Sequence, residues 1–108
     1  MPNYQPGDIL LLSFPFTGVG AKSRPALVLL DTGDDDVMVA KVTSQSLLTQ
    51  YDVEFENWQQ AGLKVASGVR LHKIATLEKG LIHRQLGSLT LNDWTRVRAK
   101  IQQIWTSI

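Results

Sequence analysis

Gln5-Pro6-Gly7-Asp8-Ile9-Leu10-Leu11-Leu12-Ser13-Phe14-Pro15-Phe16 sets a short apolar run between two breaks made of proline and glycine. A run of this length, closed at both ends by chain-turning residues, suits a buried strand and is too short for a helix. Thr17 to Ser23 is small and polar, with two glycines, and reads as a mobile loop. Pro25 then opens a second apolar run, Ala26 to Leu30, at the strand start where a missing N–H does least harm. Asp31-Thr32-Gly33-Asp34-Asp35-Asp36 is a turn, and Val37 to Val42 returns as the partner strand of a hairpin.

Further along, Tyr51-Asp52-Val53-Glu54-Phe55 alternates. Tyr51, Val53 and Phe55 share one face and the two acids the other, as in a half-buried strand. Glu56 to Ala61 fits one helical turn ended by Gly62. Val69 to Lys73 and Ile82 to Leu86 are expected strands, with a turn near Glu78-Lys79-Gly80. Leu91, Trp94, Val97, Ile101, Ile104, Trp105 and Ile108 recur at spacings of three and four, which predicts a closing helix with one apolar stripe. Trp94 and Trp105 therefore read as core. Thr90 is its expected N-cap and Asp93 a shortened capping-box partner. The pattern predicts a mainly β fold: a small barrel closed by a C-terminal α-helix, formed as one domain over residues 1–108.

Composition narrows the function classes. The chain has 108 residues, 44% of them apolar, a formal net charge of +1 and no cysteine. Thiol catalysis, disulfides and thiolate zinc sites are excluded. No apolar run reaches the roughly 18 residues of a membrane span, and the N-terminus lacks a secretory pattern, so a cytoplasmic location without membrane association is expected. Gly20-Ala21-Lys22-Ser23 fails the phosphate-loop spacing, and the Asp34–Asp36 run fails the calcium-loop pattern. His72 and His83 have no acid at a metal-binding spacing, and no serine sits in a nucleophile elbow.

Four segments read in order carry more. They are Gly7 to Thr17, Ser23-Arg24-Pro25-Ala26-Leu27-Val28-Leu29, Val42-Thr43-Ser44-Gln45, and Ser67-Gly68-Val69-Arg70-Leu71-His72-Lys73-Ile74. The series resembles the PemK/MazF family of toxin ribonucleases, and the Leu81 to Leu89 stretch and closing helix extend the likeness over nearly the whole chain. The resemblance implies an SH3-like barrel, usually a homodimer, that cuts single-stranded RNA without metal or other cofactor. It also implies a cognate antitoxin protein that blocks the RNA groove.

On that resemblance Arg24 is the expected stabiliser of phosphorane charge, since a guanidinium donates two hydrogen bonds at any ordinary pH. Pairing with a nearby acid is its plainer role. Thr43 is the expected catalytic partner, and Ser44 a phosphate contact, against the alternative of hydroxyls that satisfy their own turn. Arg70 and His72 leave their strand on the face opposite Val69 and Leu71, as a phosphate contact and a proton shuttle, or as a solvated face. Lys73 joins them only if the strand ends or bulges there, and Lys22 contacts backbone phosphate from the loop. Phe16 and Trp58 are candidates for base stacking, with packing as the alternative. An acid that the better-known toxins carry in this region is replaced by Val69, so the general base is unassigned. The second expectation is a catalytically weak barrel that binds RNA or a protein partner without turnover. A third is a barrel that only docks other proteins.

Overall fold

The computed structural model describes residues 3–14, 22–46 and 49–108. Six strands form one antiparallel sheet: β1 Asp8–Phe14, β2 Lys22–Leu30, β3 Asp36–Thr43, β4 Asp52–Glu54, β5 Gly68–Glu78 and β6 Ile82–Ser88, followed by helix α1, Leu91–Ser107. Their order across the sheet is β4-β5-β3-β2-β1-β6. Every neighbouring pair is antiparallel.

The continuous apolar runs of β1 and β2 follow from burial on both faces of the sheet. Ile9, Leu27, Ala40 and Val42 enter one core with Val53, Phe55, Val69, Leu71 and Val97 of α1. Their neighbours Leu10, Leu12, Ala26, Val28 and Val39 enter a second core with Val37 and Leu77. Period-2 alternation divides adjacent residues between the two.

The expected barrel is not closed by strand pairing, because β4 and β6 are the two edges of the sheet. Irregular chain after β4 covers the gap. Its turn runs from Asn57 to Leu63, where the Ala61 N–H donates to the Asn57 carbonyl and the Leu63 N–H to the Trp58 carbonyl. It is the one helical turn expected there, a single i→i−4 bond that does not propagate into a helix. Gly62, at φ +90°, ends it against β6, and a Cβ there would run into the Leu86 carbonyl oxygen. Only glycine combines that φ with that approach.

The loop expected over Thr17 to Ser23 falls mainly on residues outside the described ones, as does Phe16. Its last two residues, Lys22 and Ser23, belong to β2, which starts before Pro25 by pairing with β1 at Phe14↔Lys22. β5 runs further than expected, to Glu78, and a 3-10 turn at Lys79–Leu81 joins it to β6.

α1 starts as the sequence suggests. Thr90 Oγ1 accepts the Asp93 N–H at 3.3 Å. The Asp93 carboxylate, fully buried, does not complete a capping box; it accepts the backbone N–H groups of Glu56 and Asn57 at 2.9 and 2.8 Å and pins α1 to the turn after β4. Trp94, Val97, Ile101 and Ile104 pack on the core. Trp105 does not: it is 69% exposed, and Leu91 and Ile108 are more so. Trp105 lies eleven residues after Trp94, nearly the same azimuth on a 3.6-residue helix, so the stripe is real but Trp105, one residue past Ile104, overhangs the core. No described helix is long and apolar enough to cross a membrane.

Candidate active site

β2 and β3 separate at one end, and the separation makes a cavity. Their last pair there is Ala26↔Lys41. Beyond it, Lys22 to Pro25 pair with β1 only. Pro25, with no N–H to offer β3, sits where the two strands part. The opening, about 570 Å³, is walled by Arg24 and Pro25 of β2, Lys41 to Thr43 of β3, Ser44 and Gln45 beyond it, and the Gly62 to Val65 segment with Ser67. Leu11 of β1 and Arg84 and Leu86 of β6 complete it. Leu11 pairs with Pro25 on one side and Arg84 on the other, which brings β6 into the wall.

The electrostatics are one-sided. Four cations line the cavity (Arg24, Lys41, Lys64 and Arg84), and among the described residues no acid does. The hydroxyls of Thr43, Ser44 and Ser67 stand among them. Thr43 Oγ1 accepts the Gln45 N–H at 3.1 Å, the turn role that a Thr at a strand end often takes. Its own O–H is not used in that bond and remains able to donate. A smaller recess of about 300 Å³ adjoins the cavity, sharing Ser44, Gln45 and Ser67 and adding Glu54, Phe55 and Trp58.

The structure thus brings Arg24, Thr43 and Ser44 together and leaves the other four expected contacts outside this cavity. Lys22 is exposed at the first residue of β2. Arg70 and His72 do share a face opposite the buried Val69 and Leu71, but both face Asp52. Arg70 Nε and His72 Nδ1 stand 3.5 and 4.0 Å from Asp52 Oδ1, whose side chain is 1% exposed. At 3.5 Å the Arg70 contact is an ion pair without a hydrogen bond. The Tyr51 ring lies 5.6 Å from that of His72. Lys73 is exposed on a bulge: Ala40 pairs with Ile74 and Lys41 with Arg70, so Leu71, His72 and Lys73 have no partners in β3. Asp8 serves the start of β1, accepting Ser88 Oγ–H at 2.7 Å and the Gln5 N–H at 2.8 Å. Ser13 Oγ and His83 Nε2 meet at 2.8 Å across β1 and β6. The acidic run after β2 makes side-chain turns: Asp31 accepts the Gly33 N–H and Asp34 the Asp36 N–H. No group of three or more His, Asp or Glu among the described residues is arranged to hold a metal ion.

Lys41, Lys64 and Arg84 are the cavity residues that sequence reasoning missed. Lys41 was legible only as the one cation in the apolar Val37 to Val42 run. Lys64 and Arg84 carry no local signal, because register and the Gly62 contact bring them to the site from distant segments.

No relative among curated proteins matches the chain. Solved structures do. A MazE–MazF complex from Deinococcus radiodurans is 20% identical, with 98% of each chain covered and a TM-score of 0.77. MazF alone from the same organism is 22% identical over 98% of this chain and 99% of that one, with a TM-score of 0.75. An endoribonuclease bound to its cognate antitoxin, from a Mycobacterial species, is 15% identical over 90% and 89%, with a TM-score of 0.73. At these identities the likeness is one of fold. A sequence-family model, in contrast, matches residues 5–105, and by that match the chain belongs to the PemK-like, MazF-like toxins of type II toxin–antitoxin systems.

Proposed function

We propose that the chain is an endoribonuclease that cuts single-stranded RNA without a metal ion, by attack of a 2′-hydroxyl on the adjacent phosphate. The observation that carries this reading is the cavity at Arg24, with four cations and no described acid, in a chain whose formal net charge is only +1. A phosphodiester backbone is the ligand such a surface selects. One relative of this fold is an endoribonuclease with its antitoxin bound, which supports the same assignment here.

In the reaction the 2′-oxygen forms a bond to phosphorus as the bond to the 5′-oxygen breaks, and the 5′-oxygen takes a proton from water, leaving a 2′,3′-cyclic phosphate and a 5′-hydroxyl. Extra negative charge gathers on the phosphoryl oxygens in between. The Arg24 guanidinium and the free Thr43 O–H stabilise that charge. Lys41, Lys64 and Arg84 hold neighbouring phosphates, and Ser44 adds a hydroxyl contact. The proton of the 2′-hydroxyl passes to water or to a group outside the described lining, which contains neither carboxylate nor imidazole. A cognate antitoxin occupies the same groove, and the toxin acts in the cytoplasm as a homodimer. The overhanging Trp105 and Ile108 offer an apolar surface for pairing.

That missing base favours a second reading, in which the cavity binds RNA or a protein partner without turnover. One experiment separates the two. Purified protein and its Arg24→Ala variant are incubated in EDTA with a long, weakly structured RNA. Discrete fragments ending in cyclic phosphate, absent with the variant, support the ribonuclease. RNA left intact by well-folded protein, yet bound with salt-sensitive affinity, supports the second reading.

A further inference from the structure

We infer that the recess beside the cationic cavity is a nucleobase subsite with Trp58 as its stacking surface, an assignment that rests on the RNA reading above. A nucleotide is an anion joined to a flat apolar ring with a polar edge. The two hollows have that same adjacency: cations fill one, aromatic residues line the other, and Ser44, Gln45 and Ser67 are common to both. A volume of about 300 Å³ lies at the lower end of small-molecule pockets, roughly 300–1,000 Å³, and suits one base.

Trp58 is held in place before any ligand arrives. It is half-buried and packs against the main core, and its carbonyl accepts the Leu63 N–H at 3.2 Å. A fixed aromatic ring loses little freedom on binding, so its stacking energy is retained. Phe55, 4% exposed, backs the recess. The polar edge of the base meets Gln45, the shared serines and Glu54. Glu54 is the single charged residue among the described lining, and an ionised carboxylate only accepts hydrogen bonds. Bases with an exocyclic amino group are therefore favoured over uracil.

The test uses 2′-fluoro RNA oligomers, which bind but lack the attacking hydroxyl, read by fluorescence anisotropy. Each oligomer is compared with versions carrying one abasic position, and oligo-C is compared with oligo-U. In the wild-type chain, one abasic position should weaken binding by about 10- to 100-fold. Trp58→Leu should lose a similar factor on the intact oligomer and become insensitive to that position. Trp58→Phe should retain most of the affinity, and oligo-C should bind more tightly than oligo-U. Salt-dependent binding that ignores every abasic position in the wild-type chain overturns the base subsite while leaving RNA binding intact. That arm needs no variant to fold. If no oligomer binds at all, the RNA reading fails first, and this inference fails with it.

Discussion

Lys79 Nζ stands 2.9 Å from Asp31 Oδ1, and the two side chains are 3% and 0% exposed. The pair ties the turn after β2 to the 3-10 turn between β5 and β6. Asp31 also accepts the backbone N–H of Tyr4 at 2.7 Å and of Gly33 at 2.8 Å, so the N-terminal segment is fastened to the same point.

These contacts give the acid limb of stability a known origin. The Tyr4 N–H, then Lys79 and the Gly33 N–H, hold the Asp31 carboxyl at about 2, below its ordinary 3.8, against an opposing effect of burial. A carboxylate with a lower pKa in the folded chain contributes stability above its unfolded value and loses it as pH falls toward the folded one. Wild type should therefore lose stability between pH 3.8 and about 2 through this group. Asp31→Asn should be less stable than wild type at pH 7, with the gap shrinking across that window. Urea midpoints measured at a series of pH values check this, and a gap independent of pH would refute it.

Asp93 is a second buried carboxylate whose work is structural. It accepts two backbone N–H groups from the turn after β4 and the Arg96 Nη1–H at 3.1 Å. Asp93→Ala leaves the two backbone N–H groups without their acceptor, while Arg96 Nη1–H keeps the Glu54 carbonyl. At about 1–3 kcal/mol for each unsatisfied buried group, a loss of roughly 2 kcal/mol or more is expected in chemical denaturation. Because the turn carries Trp58 and Gly62, the same variant should weaken RNA binding at temperatures where it is still folded. Asp93→Asn, which keeps an acceptor oxygen, should recover part of both.

Where sequence reasoning succeeded, the information was local. Thr90 announces the start of α1 because a hydroxyl cap acts within one turn, and Ile9 to Leu12 announces a strand because both faces of it are buried. Where it fell short, the missing information was long-range. Asp93 matches a local capping pattern, yet its carboxylate serves residues 36 and 37 positions earlier. Trp105 has the correct helical phase and no core beneath it. The site shows the same division. Arg24, Thr43 and Ser44 belong to segments that resemble a family, whereas Lys41, Lys64 and Arg84 become neighbours only through strand register. Arg70 and His72 were assigned to the correct face, but Asp52, on a strand of three residues, meets them there.

Thr43 separates turn chemistry from catalysis. Its oxygen accepts the Gln45 N–H while its proton is free for a phosphate. Thr43→Ser keeps both the acceptor and the donor, and on the proposed mechanism it should retain most activity. Thr43→Val removes both, and loss of one preorganised donor to a developing anion should lower kcat by about 10²–10³-fold. Single-turnover cleavage of a saturating RNA measures this directly. A Val variant that binds RNA normally and cleaves at the wild-type rate would confine Thr43 to the turn.

If RNA lies in the cavity as proposed, its cations contact phosphate and those elsewhere on the surface do not, and salt distinguishes the two. Each phosphate contact on a single strand adds about 0.7 to the slope of log affinity against log salt. Lys64→Gln and Arg84→Gln should each reduce that slope by about this amount and weaken all RNA sequences alike. Lys73→Gln, on the β5 bulge outside the cavity, should leave it unchanged. Binding titrations of a 2′-fluoro oligomer across several salt concentrations distinguish the cases. Equal reductions for all three would mean that RNA follows the β5 bulge as well as the opening between β2 and β3, and the bound path would then take in Arg70 and His72.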